Sequence, residues 1–278
     1  ANHAPALFNN HAAMLRAQQV YTIELKEKHA FILDLFSGQK LNTRTQTATL
    51  RYREKERAAQ TLGKDTDVDA EEWQSRRKAS AMIQSKADAK ATTILREMLG
   101  GDHANVRLRR YLLLILGPAA AGKTTLLKTF MIEMVHLYPD FVPVLMPIID
   151  VVPVLGECDR EAGESVVVAF IQQKYPQHAH LLIQTMLQRR AVFLIDGIDE
   201  SGTFRETVQD FVMIELLEQG HKTVITSRHS GFSSDAFQQC RLVELLPLSA
   251  DQQAEMVRTR VADETRAMAL VKELSAPA

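Results

Sequence analysis

The chain predicts an α/β fold: a mainly parallel five-stranded sheet between helices, preceded by a helical N-terminal region and followed by the start of a helical lid. Three observations carry that prediction. Four short apolar or β-branched runs, Tyr111 to Leu116, Val192 to Ile195, Lys222 to Arg228 and Arg241 to Leu245, have the length of strands, and a longer apolar segment with prolines, Pro139 to Leu155, supplies a fifth. Segments with helical periodicity follow these runs, and that alternation is the pattern of a parallel sheet covered on both faces. The first run also breaks into a helix through Gly117-Pro118-Ala119-Ala120-Ala121-Gly122-Lys123-Thr124-Thr125, a loop bounded by glycines. The division expected is 1–105, helical; 106–248, the α/β core; and 249–278, a lid that looks truncated.

Residues 1–105 carry no recognisable chemistry. Leu15, Val20, Ile23, Phe31, Ile32, Leu35 and Phe36 recur at roughly helical spacing, up to Ser37-Gly38. Arg51 to Arg57 (RYREKER) reads as a solvated helix face. After a polar loop, a second amphipathic helix is expected from Ala70 to Leu99, with Trp73, Met82, Ile83, Ala87, Ile94, Leu95, Met98 and Leu99 on one face. Gly100-Gly101 ends it. That stripe is expected to dock on the following domain, with a partner-helix role as its rival.

The core begins at the first run. Strand, loop and helix enclosing G-x-x-x-x-G-K-T is the context of a phosphate-binding loop, whose amides converge on an anion at a helix N-terminus. Lys123 is placed to reach the β- and γ-phosphates and Thr124 to put its hydroxyl on Mg²⁺. Pro139, Pro143, Pro147 and Pro153 interrupt the next apolar segment, which should therefore be an edge strand. A polar loop, Gly156 to Glu164, and helices around Ser165 to Tyr175 and Ala179 to Arg189 follow.

Ala191 to Glu200 (AVFLIDGIDE) reads as a strand ending at Asp196, where a carboxylate can hold Mg²⁺. Gly197 leaves room beside the metal. Asp199 and Glu200 are both candidates for the general base that polarises the attacking water, with the lean toward Glu200. A helix from Phe204 to Glu218 leads to a strand ending at Arg228, whose guanidinium can meet a γ-phosphate or pair with a local carboxylate. Ser249 opens the lid helix, Ala250 to Ala262.

In order and spacing, GPAAAGKTT, VFLIDGIDE, KTVITSR and LLPLS resemble the NACHT domains of the signal-transduction NTPases with numerous domains. The glycine directly after Asp196, followed by the second acidic pair, is the most specific element. The resemblance covers residues 106–262. It implies a sheet with the phosphate-loop strand central, the Arg228 strand beside it and the Asp196 strand next. It also implies phosphate, magnesium and γ-phosphate-sensing roles for Lys123, Thr124, Asp196 and Arg228. Such proteins are switches, resting with ADP and opening with ATP to oligomerise, and slow hydrolysis resets them. ATP is favoured over GTP because no Asn-Lys-x-Asp-type motif is present. The family's winged-helix His is expected beyond Ala278, as the chain reads as a fragment of a longer polypeptide.

Composition limits the alternatives. The chain has 278 residues, 24 % of them charged, and a formal net charge of −1. Residues 111–248 hold 16 acidic against 10 basic residues, which counts against a nucleic-acid-acting ATPase. No apolar run is long enough to span a membrane. Cys158 and Cys240 have no metal spacing, and a reducing, cytoplasmic setting is expected. His178 and His180 read as surface residues rather than ligands. Two functions stay open: an ATP/ADP switch with weak Mg²⁺-dependent ATPase activity inside a larger signalling or scaffold protein, and a structural subunit that keeps its nucleotide pocket for stability. Protein partners are expected through the N-terminal helices or missing domains, with oligomers possible in the ATP state.

Overall fold

A computed structural model describes residues 8, 10–33, 40–43, 52–54, 91–100, 112–159, 162–229, 240–261 and 263–274. Helix α1 (His11–His29) starts at Asn10, whose side chain accepts from the Ala12 amide. Its inward face is Met14, Tyr21 and Leu25, whereas Leu15, Val20 and Ile23 lie exposed. The expected stripe was therefore the outer one. The helix also ends earlier than its apolar residues suggested. Phe31–Leu33 (β1) pairs antiparallel with Lys40–Asn42 (β2) instead.

The N-terminal region is not helical throughout. Tyr52–Glu54 (β3), within the stretch read as a solvated helix face, pairs antiparallel with the last strand of the main sheet. Helix α2 (Ala91–Gly100) buries Ile94, Leu95, Met98 and Leu99, and these join the core as expected of a docked stripe. Trp73, Met82, Ile83 and Ala87 lie outside the described residues.

The main sheet has six strands in the order β3, β8 (Arg241–Leu245), β4 (Leu112–Leu116), β7 (Lys222–Ser227), β6 (Ala191–Asp196), β5 (Val142–Pro147). All but β3 are parallel to one another. β4 is bonded to a neighbour on each side and covered on both faces, which is why its sequence is an unbroken LLLIL rather than an alternation. The chain leaves β4 through α3 (Lys123–Leu137) and crosses to the far edge at β5. The cleft at the carboxyl ends of β4, β6 and β7 lies where that order reverses, the usual ligand-binding position of an open α/β sheet.

β5 is the edge strand that its prolines predict, but only as far as Pro147. Residues 148–157 form helix α4 (Ile148–Glu157), with Pro153 inside it, so the apolar segment is strand and then helix. In a strand, a residue's N–H and C=O point the same way and alternate along the chain. The Val142 amide faces β6 and bonds Arg190 O. Pro143, Leu145 and Pro147 therefore face the open edge, where a missing donor costs the ladder nothing. Two hydroxyls meet that edge: Tyr21 donates to Pro143 O at 2.8 Å and Tyr175 to Leu145 O at 2.7 Å.

Helices α5 (Val166–Lys174) and α6 (Ala179–Leu187) follow. Ser165 caps α5, and the carboxylate of Glu215 accepts from Ser165 Oγ and from the amides of Val166 and Val167. That carboxylate comes from a π-helical turn, Val212–Leu217, that extends α7 (Arg205–Phe211). α8 (Ala250–Arg260) starts at a capping box between Ser249 and Gln252, and α9 (Glu264–Leu274) packs against it.

His178 is not the surface residue expected. It is packed against the Tyr21 ring with its Nε2 2.6 Å from Glu24, an acidic partner 154 positions away on α1. His221, at the opposite end of the sheet from the cleft, is fully enclosed. Its Nε2 accepts from Arg189 at 2.7 Å, so the proton sits on Nδ1, which is buried without a partner. No described helix is long and apolar enough to cross a membrane.

Candidate functional site

The phosphate-loop geometry follows from where glycine is and is not required. Gly117 lies so close to Ala121 and Leu245 that a Cβ there would sit 3.2 Å from the Ala121 methyl. Its amide bonds Ser227 O at the end of β7, so the loop starts from a fixed point on the neighbouring strand. Gly122 takes φ 86° to turn the chain into α3, and Ala120 takes φ 59° despite having a side chain. Ala120 is thus strained, in a conformation that normally selects glycine.

Lys123 folds back over the loop, donating to Gly117 O and Pro118 O at 2.8 Å each. Burial lowers its pKa from the usual lysine value. Asp199 opposes that shift, Arg228 adds to it, and Asp196 and Glu200 oppose it more weakly. The ammonium thus lies within electrostatic reach of every charged residue singled out from the sequence. Thr124 donates from Oγ1 to Asp196 Oδ2 at 2.6 Å, joining the start of α3 to the end of β6.

Ala119 to Thr125, Asp196, Gly197, Asp199, Glu200 and Arg228 line one cleft of about 310 Å³. Of the expected site residues only Gly117 and Pro118 lie behind it, and their carbonyls hold Lys123. Gly197 lines the cleft, and its lack of a side chain serves Glu200 directly. It sits at φ 76°, with the Glu200 carboxyl carbon 3.1 Å from where its Cβ would be, so it makes room for Glu200.

Asp199 and Glu200 are adjacent in sequence but not equivalent. Asp199 is only 9 % exposed and is committed to Arg228, accepting its backbone N–H at 3.0 Å and its Nε at 3.1 Å. Arg228 is half exposed and lines the cleft beside it. The local-carboxylate alternative therefore describes Arg228 here, with the Asp199 carboxylate held through Nε and the backbone amide. Glu200 lies exposed at the mouth.

Sequence reading missed Thr226. It is fully buried near the end of β7, accepts the Gly197 amide at 2.9 Å, and donates to Asp196 Oδ1 at 2.7 Å. Its only signal was a hydroxyl residue next to the strand end, which ordinary β propensity also explains.

The donors present fit a hard divalent cation. One hydroxyl and one carboxylate meet at a mouth where phosphate oxygens and water would complete the coordination, which is how Mg²⁺ is held in nucleotide sites. Among the described residues no cluster of three or more His, Cys, Asp or Glu forms a separate metal cage.

The sequence pattern of the NACHT domain matches residues 111–264. No curated protein matches the chain significantly. Among solved structures, AMPPCP-bound DnaA from Aquifex aeolicus is similar at 14 % identity, covering 66 % of this chain and 55 % of that one, with a TM-score of 0.41. Domain III of the replication initiation protein DnaA from Thermotoga maritima is similar at 17 % identity over 60 % and 65 % of the two chains, with a TM-score of 0.38. A chain of the E. coli MS115-1 HORMA:CdnC:Trip13 complex is similar at 13 % identity over 75 % and 78 %, with a TM-score of 0.41. The chain spans less than two thirds of either DnaA chain's own length.

Proposed function

The chain belongs to the NACHT domain family and contains its nucleotide-binding domain, and from that premise we propose that it is an ATP/ADP switch with slow, Mg²⁺-dependent hydrolysis. The observation that carries this is the convergence of Lys123, Thr124, Asp196 and Arg228 on one cleft, with Thr124 and Asp196 in direct contact at 2.6 Å. Lys123 and the loop amides hold the β- and γ-phosphates. Thr124 and Asp196 hold Mg²⁺, which when bound neutralises phosphate charge. Arg228, steadied by Asp199, meets the γ-phosphate through its terminal nitrogens. Glu200, the uncommitted carboxylate, accepts the proton of the attacking water. Asp199 is the weaker base candidate because both of its oxygens already hold Arg228.

We place this module in the cytoplasm, inside a larger signalling or scaffold protein, with partners engaged through its N-terminal helices and oligomerisation coupled to ATP.

The test is the nucleotide carried by the purified protein, released by denaturation and identified by chromatography, with ATP turnover followed on the same sample. Retained ADP and slow turnover are expected, and Lys123→Ala should lose most nucleotide affinity. Tightly held ATP without turnover would instead establish a structural pocket. Unchanged ATP binding by Lys123→Ala would overturn the site assignment.

A further inference from the structure

We propose that Thr226 is the residue that sets the orientation of the Asp196 carboxylate, and so the strength of Mg²⁺ coupling to nucleotide binding. The inference rests on the Mg²⁺-nucleotide reading above and goes beyond it, because Thr226 belongs to neither the phosphate loop nor the acidic motif.

The direction of each hydrogen bond is fixed by elimination. The Gly197 amide can only donate, so Thr226 Oγ1 accepts it at 2.9 Å. The single hydroxyl proton of Thr226 is then free for Asp196 Oδ1, 2.7 Å away. Thr124 donates to the other oxygen, Oδ2, at 2.6 Å. The carboxylate is therefore held by one donor on each oxygen, one from β7 and one from α3. Two such contacts fix the plane of the group, while each oxygen keeps lone-pair capacity for a cation. Mg²⁺ tolerates little departure from octahedral geometry, so a carboxylate free to rotate would be a poorer ligand.

Sheet register is what places this hydroxyl. Ile225 pairs with Ile195, so residue 226 falls beside 196 at the carboxyl end of the sheet. The other hydroxyls of β7 do not serve: Thr223 bonds His221 O and Ser227 bonds Arg228 O, residues that flank the two ends of the same strand. Thr226 is also fully buried, so water cannot readily replace its hydroxyl. Thr226 is not among the residues that line the cleft and reaches it through its hydrogen bonds to Asp196 and Gly197, which makes it a positioning residue.

The experiment is equilibrium ATP binding to the full chain in EDTA and in MgCl₂, for the unaltered protein, Thr226→Val and Thr226→Ser, with folding checked by circular dichroism. Replacing a partner that orients a metal ligand typically costs roughly 10–100-fold in metal affinity. The Mg²⁺-dependent gain in ATP affinity should accordingly fall about tenfold or more in Thr226→Val, with affinity in EDTA within about twofold of the unaltered protein. Thr226→Ser should restore the gain. If valine does not fold at this position, Thr226→Ala removes the same hydroxyl with less bulk and must show the same loss. An undiminished Mg²⁺ gain in the folded variant would overturn the inference, as would an equal loss in EDTA, which marks a purely structural role. If the unaltered protein bound no nucleotide at all, the site reading itself would fail and this inference with it.

Discussion

Ala120 offers a direct measure of the strain held in the phosphate-binding loop. At φ 59° it occupies the left-handed region, where a Cβ costs about 1–2 kcal/mol. Ala120→Gly removes that cost, but glycine also loosens the unfolded chain, worth about 0.4–1 kcal/mol in the opposite direction. The net change is small and uninformative alone. Ala119 supplies the control: it is the same residue in the same loop, without a positive φ. Ala119→Gly carries the unfolded-state penalty and relieves nothing. The difference between the two variants isolates the strain, with Ala120→Gly expected to be about 1–2 kcal/mol the more stable. Urea unfolding of both, with equal slopes, measures it. Equal midpoints would mean that the loop holds no such strain, and that the left-handed turn at Ala120 is not a feature of the folded protein.

The two acidic residues after Gly197 separate by kinetics: Glu200→Gln should keep ATP binding and slow turnover by about 10²-fold or more. Asp199→Asn should change affinity for ATP more than for ADP, because it frees Arg228, and full turnover in Glu200→Gln would move the base to Asp199. Stability should also depend on pH through two enclosed histidines. Burial lowers His29 and His221 to about 4, helped by Lys128 and Lys28 at the first and by Arg189 at the second. Both unfold to a pKa near 6.5, so their contribution is complete above about 6.5 and is lost as the pH falls toward about 4. His221→Gln should flatten the decline of the urea midpoint across that window, and an unchanged decline would remove His221 from the account.

The legible parts of this chain were those in which chemistry and backbone demand the same residues. G-x-x-x-x-G-K-T had to be a loop between strand and helix, and Asp196 had to end a strand. The run at 241–245 and the cap at Ser249 were equally plain, being bounded by local signals. What escaped depended on partners far away in sequence. The outer face of α1 is as apolar as its inner face, so periodicity could not tell Leu15 and Ile23 from Met14 and Tyr21; only packing against α3 and α6 decides. β3 is three residues long and charged, and becomes a strand by pairing with β8. Thr226 looked like an ordinary strand residue, because its significance lies in the register of β7 against β6. Pro153 suggested continued strand where α4 runs, since it stands past the first turn of that helix, where proline is ordinarily disfavoured.

The open edge of the sheet shows how α1 and the nucleotide-binding core depend on each other. A strand edge with unpaired carbonyls invites pairing with another chain. β5 limits that hazard twice, by placing Pro143 and Pro147 where their missing donors face outward, and by covering two carbonyls with tyrosine hydroxyls. Tyr21 is 2 % exposed, and burial raises its pKa well above the usual phenol value, so its hydroxyl stays protonated and donating at any physiological pH. Tyr21→Phe keeps the ring against Tyr175 and His178 and removes only the donor to Pro143 O. A buried carbonyl left without a partner costs about 1–3 kcal/mol. Urea unfolding should show a loss in that range, with the cleft 's nucleotide affinity unchanged, since Tyr21 stands at the far edge from Lys123 in the strand order. A loss below about 0.5 kcal/mol would mean that water reaches Pro143 O and that α1 does not seal the edge. A parallel fall in nucleotide affinity would instead show that β5 and the phosphate loop respond as one unit, and that α1 is positioned to act on the site through the edge strand.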